Sequence, residues 1–252
     1  MKKVIILNKK EGKTPLQALD DFRAQNKSYK DIKMTYAGRL DPLVSGLLLL
    51  LAGDKIKEKE NYLGLSKEYL FDVLFGFSTD THDVLGKVQH SHILKNVGML
   101  SRKDLERKIK DNLKYFIGEF VQEYPMYSSK TVGGKPLFVH ARNNNLVKKP
   151  KHIVSVASLK FIKIKSITAN NLLLNIKRRI ALVRGDFRQE EILKIWNKKL
   201  KNEGDKFFVV SFRVKCGSGM YVRKLAHDLG ERMGTPALAF RIKRTMIGKW
   251  KL

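Results

Sequence analysis

Short apolar runs broken by turn residues set the pattern of this chain. "VIIL" at 4–7 predicts a short buried strand, and "LLLLLAG" beyond Gly46 a second. "EYLFDVLFGFST" (68–79) is aromatic-rich and partly alternating, which predicts a strand, as does "FFVVSFRVKC" (207–216) before the turn "GSG". "SVASLKFIKIKSI" and "NLLLNIK" (155–177) read as two strands joined by a turn at Ala169, Asn170 and Asn171. Helical spacing alternates with these runs. Thr14, Pro15 and Gln17 carry the signature of a capped helix start in "TPLQALDDF". Ser101 and Asp104 open another helix, in which Leu105, Ile109 and Leu113 recur every four residues. "YVRKLAHDLGERMG" puts Tyr221, Leu225 and Leu229 on one face and Gly234 near its end.

The segment 178–206 stands apart, with a helix expected to begin at Asp186 and Gln189 three residues on. Its stripe of Ile192, Trp196 and Leu200 predicts a surface helix packed by that stripe, and its basic remainder offers an accessory RNA contact as the alternative. Strands and helices mix without a βαβ rhythm, so the pattern predicts one α+β domain around a mainly antiparallel sheet. No linker or repeat divides residues 1–252.

Charge then narrows the partners. Among 252 residues, 51 Lys and Arg face 24 Asp and Glu, a formal charge of +27. So large an excess seeks a polyanion, nucleic acid first and an anionic membrane second. The longest apolar run, Leu47 to Ala52, is far too short to span a bilayer. "MKKVIILNKK" has too few apolar residues for a signal peptide. The single cysteine, Cys216, excludes an internal disulfide and multi-cysteine zinc patterns. A cytoplasmic protein facing nucleic acid is the simplest expectation. A lysine-rich habit inherited from an AT-rich genome would give the same composition, so the site residues must decide.

No Walker loop, dinucleotide fingerprint or metal pattern is present, and His90 and His92 sit in a polar stretch that suits exposed histidines. Asp41 is the exception to an otherwise bland chemistry. Asp-Pro by itself favours a turn or helix start. Here, Gly38 precedes it and the leucine run follows, which sets Asp41 at the border of loop and core. Apolar surroundings raise a carboxyl pKa, so an ionised nucleophile there needs a cation. Arg223, delivered by "GSGMYVRKL" to the first turn of a helix, can hold a carboxylate with both arms of its guanidinium.

Four stretches, in order, carry a resemblance. "GRLDPLVSGLLLLLAGDK" resembles the signature of pseudouridine synthases. "KEYLFDVLFGFSTDTHDVLGKV" (67–88) is similar to their Lys-x-Tyr strand and Thr-Asp-Thr-x-Asp-x-x-Gly segment. "EYPMYSSKTVGGKPLFVHAR" (123–142) is similar to their Pro-Met-Tyr-Ser-x-x-Lys insert, and "GSGMYVRKLAHDLGERMG" to their Gly-x-Tyr-x-Arg helix. Together they resemble the TruB family. Pro42, the Thr-Asp-Thr segment and the insert distinguish it from the ribosomal-RNA synthases of the Rsu type, which share "GRLD".

The resemblance implies a pseudouridine synthase fold and an isomerase without cofactor or metal, acting on the T-loop uridine of tRNA conventionally numbered 55. It implies Asp41 as the catalytic aspartate, Tyr69 as the aromatic that packs on the target base, and Arg223 as the partner of the aspartate. Lys9 and Ile242 match a lysine and a pocket residue, while Arg39, Thr79, Asp80 and Tyr221 lie within the matched motifs as substrate contacts. In the insert, which covers 123–150 as an RNA clamp, Lys130, Lys135 and Arg142 are expected at phosphates, with Met126 and Tyr127 near the base. Tyr36 stands where the family has a histidine that helps extrude the base, and Lys10 replaces a proline. Residues 178–206 read as an insertion, and the chain ends at Leu252 without room for the C-terminal RNA-binding domain of many relatives. A monomer that binds the tRNA T-arm with no obligatory protein partner is the expectation. A non-catalytic RNA-binding protein and a synthase for ribosomal RNA are the alternatives.

Overall fold

In the computed structural model, residues 2–91, 102–202 and 205–252 are described. The front half runs β1 (Val4–Lys9), α1 (Pro15–Gln25), β2 (Met34–Ala37), β3 (Val44–Ala52), α2 (Lys59–Leu63), β4 (Lys67–Phe75), β5 (Phe77–Thr79) and β6 (Val88–Ser91). The middle holds α3 (Arg102–Leu113), β7 (Gly118–Glu123), β8 (Thr131–Val132), β9 (Lys135–Pro136), α4 (Leu137–Arg142) and β10 (Lys151–Thr168). It closes with α5 (Ala169–Ala181), α6 (Gln189–Lys199), β11 (Lys206–Cys216), α7 (Val222–Met233), β12 (Ala237–Ile247) and β13 (Trp250–Lys251).

The main sheet has the order β1-β3-β12-β4-β11-β10-β7, with β2 beside β3 and β13 beside β12. Its strand pairs are antiparallel except β3 with β12. This is the α+β architecture that the mixed periodicity predicts. The parallel pairing of β3 with β12 brings backbones so close that a Cβ on Gly46 would lie 2.2 Å from the Arg244 carbonyl oxygen. With φ at +107°, that position is open to glycine alone.

Two cores lie on opposite faces of the sheet, because successive strand side chains alternate. One face packs Phe71, Val73, Phe212 and Val214 against α3 and α7. The other packs Leu74, Phe207, Val209 and Leu238 under α5 and α6. At the far edge, Leu48 and Leu50 meet α1 while Leu47, Leu49 and Leu51 face the other way, so the leucine run is a strand buried on both sides.

Three local expectations change. Residues 169–177 form helix α5, not a second strand. Thr168 is its N-cap and accepts from the Asn171 amide at 3.3 Å. Leu172, Ile176 and Ile180, four apart, all bury into one core, so "NLLLNIK" is the apolar stripe of a helix and the turn expected at Ala169–Asn171 is its first turn. Helix α6 begins at Gln189, three residues after the expected start. The Gln189 side chain accepts from the Phe187 amide and donates to the Val183 and Gly185 carbonyls, while the Asp186 carboxylate serves the Arg188 amide. Those bonds hold 185–188 as a turn ahead of the helix. The strand expected over 68–79 breaks at Gly76 (φ +103°), after which β5 leaves the sheet to pair with β6.

The capping box of α1 is present, with Thr14 and Gln17 exchanging side-chain bonds for each other's amides. Ile192, Trp196 and Leu200 are buried, the Trp196 indole donating to the Val84 carbonyl at 3.3 Å. The first residues of the 178–206 segment complete α5, with Arg179 buried against Glu11 and the Phe240 carbonyl. His92 and Ser101 lie outside the described residues; the stripe Leu105, Ile109 and Leu113 is buried as its spacing predicts.

Candidate active site

The loop between β2 and β3 carries Asp41 over the end of the sheet. Gly38, at φ +82°, turns the chain there and gives its carbonyl to the Arg244 guanidinium at 3.2 Å. Arg244 also donates to the Leu47 carbonyl at 2.8 Å, so one buried side chain ties the loop to β3. Lys9 anchors the other side. Its ammonium donates to the carbonyls of Lys10, Lys13 and Pro42 at 3.1, 2.5 and 3.2 Å. Burial pushes its pKa down to about 8. The Gly12 amide holds the Pro42 carbonyl as well, at 2.9 Å. Lys9 thus acts on Asp41 through the backbone of the next residue and does not line the cavity.

Asp41 projects into a cavity of about 880 Å³, large enough for a nucleotide. The Arg223 guanidinium, in the first turn of α7, donates through Nε to Asp41 Oδ2 at 2.7 Å. A two-armed grip on Asp41 is not formed. The other arms donate to the carbonyls of Thr81 and Tyr127, the latter at 3.2 Å, and Nε lies 3.7 Å from Asp83 Oδ2. Burial works to lower the Arg223 pKa, but Asp41 and Asp83 outweigh it and the guanidinium is held above its usual range. Burial also raises the Asp83 carboxyl, with Arg223 and the Thr81 hydroxyl opposing. Thr81 donates to Asp83 Oδ1 at 2.7 Å, and the Leu85 amide does so at 2.9 Å. Asp41 is the accessible member, its side chain 43% exposed against 11% for Asp83 and 4% for Arg223. Among the described residues none donates to Asp41 Oδ1, which leaves one carboxylate oxygen for chemistry.

Tyr69 lines the same cavity from β4, with burial lifting its phenol above the ordinary range. Ile242 faces it from β12, and Tyr36, Arg39, Tyr127, Arg142 and Tyr221 complete the expected set that reaches the cavity. Thr79, Asp80, Met126, Lys130 and Lys135 do not reach it. Thr79 is buried and donates to the Asp83 carbonyl at 2.6 Å. Asp80 accepts from the Lys87 amide and pairs with Arg188. Met126 is half-buried in the insert, Lys135 is exposed on β9, and Lys130 lies over the Tyr124 ring.

The sequence reasoning missed Asp83, Arg188 and Arg244. Asp83 stood inside a quoted motif. Arg244 follows Ile242 by two on β12, so the two share a face, a link that shows only once this stretch is known to be a strand. The lining cations Arg39, Lys67, Arg142, Arg188, Arg223 and Arg244 outweigh the carboxylates Asp41, Glu60 and Asp83, so the cavity favours an anionic ligand.

A fold of this topology with an aspartate–arginine pair beside a buried tyrosine defines a class, and the comparisons agree with it. Solved structures similar in fold are chains from a Cbf5–Nop10–Gar1 complex (TM-score 0.58, 20% identity) and from an H/ACA RNP bound to a substrate RNA containing 2'-deoxyuridine (0.54, 19%). Each match covers 98% of this chain and about half of the other. The class is that of the pseudouridine synthases. Residues 26–187 match the N-terminal domain of the TruB family of pseudouridylate synthases, and the chain belongs to that family.

Curated relatives are named tRNA pseudouridine synthase B. Those of Staphylococcus saprophyticus, Fusobacterium nucleatum and Lactobacillus delbrueckii are each 29% identical, over 88%, 100% and 99% of this chain. The matches span 59%, 70% and 69% of those relatives' own lengths.

Proposed function

We propose that this chain isomerises uridine to pseudouridine in the T-loop of tRNA, at the position conventionally numbered 55. The observation that carries the reading is the half-exposed Asp41 carboxylate, hydrogen-bonded at 2.7 Å to a buried arginine in a cavity that Tyr69 also lines. Simple RNA binding does not require such a trio.

The chemistry follows from the parts. The bond from ribose C1′ to N1 breaks, C1′ joins C5, and the C5 proton leaves while N1 gains one, so the formula is unchanged. Asp41 is the nucleophile, with Oδ1 free of donors among the described residues and Arg223 stabilising its charge through Oδ2. Tyr69 offers a flat ring for the extruded base, replacing stacking lost from the RNA, and a hydroxyl near the proton to be moved. Tyr36, in the cavity lining, can stack on RNA but cannot become a cation near neutral pH.

Unstacked loop bases and folded shape are what such a site reads, with backbone phosphates supplying affinity. Lys130, Lys135 and Arg142 are exposed on the insert and suited to that contact. We take the working form to be a cytoplasmic monomer that needs no cofactor. No helix among the described residues is long and apolar enough to cross a membrane.

Unmodified tRNA transcripts incubated with the protein, and mapped nucleotide by nucleotide, test the proposal. Product is expected at the T-loop uridine, and none with Asp41→Asn. Product from the variant overturns the nucleophile; product confined to ribosomal RNA overturns the substrate; no product on either RNA overturns the enzyme.

A further inference from the structure

Arg188 lines the cavity from the segment 178–206, one residue beyond the family match that ends at 187. Its backbone is left-handed at φ +63°, a conformation unusual for a residue with a side chain, and the Asp186 carboxylate holds its amide at 3.1 Å. The turn aims the guanidinium inward. Nη1 donates to Asp80 Oδ2 at 2.7 Å and Nη2 lies 3.4 Å from Oδ1, a two-armed pair in which both side chains are less than one-fifth exposed.

A face of the same guanidinium lies over the Tyr127 ring, with Cζ 4.3 Å from its centre. Tyr127 belongs to the insert, and its carbonyl accepts from Nη2 of the same Arg223 whose Nε holds Asp41. A second bond joins the same two segments: Arg142, at the end of α4, donates to the Asp186 carbonyl at 2.6 Å. Arg188 therefore sits between three bodies, the β5–β6 hairpin through Asp80, the insert through Tyr127, and α6, whose Trp196 is locked in the core.

We propose that Arg188 is a positioning residue that latches the insert 123–150 onto the catalytic body, fixing Tyr127 at the cavity so that RNA meets a preformed clamp. This rests on the reading of the site as a tRNA pseudouridine synthase. The planar guanidinium is required by the geometry, since one group must pair in two places with a carboxylate through its edge and lie over a ring through its face; an ammonium, a point charge without a plane, cannot hold both contacts at once. Without the latch, the insert must be ordered by the RNA itself, and that ordering cost appears as weaker binding.

The test compares wild type, Arg188→Ala and Arg188→Lys on a T-arm stem-loop under single turnover, together with limited trypsin digestion of the RNA-free protein. Arg188→Ala is expected to raise the half-saturating RNA concentration about ten-fold while the saturated rate falls less than three-fold. Arg188→Lys is expected to recover little of this. Cleavage after Lys130 or Arg142 should accelerate several-fold in both variants, a readout independent of activity. A Tyr127→Leu change combined with Arg188→Ala should cost little more than either alone, because both break one stack. Wild-type half-saturation and cleavage in Arg188→Ala overturn the latch, as does full rescue by lysine. A wild-type protein inactive on the stem-loop overturns the functional reading instead, and the cleavage comparison still judges the latch.

Discussion

Arg223→Met is the most informative single change, because the two carboxylates that it faces predict opposite consequences. Asp41 is nearer, at 2.7 Å, but almost half exposed, so water and salt screen it and the pair is worth about 1 kcal/mol at most. Asp83 is farther, at 3.7 Å, but buried. At that distance and an effective dielectric of about 20, the attraction is roughly 4 kcal/mol. Methionine leaves Asp83 as a buried carboxyl without its cation, a loss of about 3–5 kcal/mol at neutral pH and a large part of the ~5–15 kcal/mol that holds a domain.

The sign of the pH dependence follows from the direction of the shift. Burial already raises the folded Asp83 carboxyl, and removing Arg223 raises it further. The folded state then binds a proton that the unfolded state has released, so stability falls as pH climbs from the unfolded value of about 4 through the folded one. The deficit of Arg223→Met relative to wild type should therefore be largest at pH 7 and shrink by at least half at pH 5. Adding Asp83→Asn should recover about 2 kcal/mol at pH 7 without restoring pseudouridine formation. Urea unfolding followed through tryptophan fluorescence, with Trp196 buried, measures both. A deficit equal at the two pH values, and unchanged by Asp83→Asn, would refute this account and shift the cost to the lost bonds to the Thr81 and Tyr127 carbonyls.

Other outcomes follow from single contacts. Lys9, held near 8 by burial, binds fewer protons folded than unfolded, so its contribution makes stability rise between about pH 8 and pH 10; Lys9→Met should flatten that rise in urea titrations. Gly46→Ala places a methyl group against the Arg244 backbone and should cost several kcal/mol by forcing β3 from β12, seen as a lowered Tm together with lost activity. Thr168→Ala removes the cap of α5 and should cost about 1 kcal/mol with product formation intact.

How much of this was legible in the sequence depends on the range over which each feature is decided. Strands β3 and β11 and helices α1 and α7 carry their own evidence, since burial on both faces, a capping box and a four-residue stripe are all local patterns, whereas β1, expected to be buried, is a half-buried edge strand with Ile6 exposed. Helix α5 misled because "NLLLNIK" is short and apolar, a run that strand and helix can share, and the deciding partner, the α6 stripe, lies some twenty residues later.

The site divides the same way. Asp41, Tyr69 and Arg223 were found through motifs, and the cavity joins all three. Asp83 and Arg244 were hidden in plain strands and loops, because a buried charge reveals its purpose only through what it faces: Arg223 from 140 positions away, and the Gly38 carbonyl from 206. Arg188 is the extreme case. Nothing about an arginine between Phe187 and Gln189 marks it, and its two partners belong to the β5–β6 hairpin and the insert. A side chain that joins three separate segments has no sequence signature, because each segment alone reads as complete.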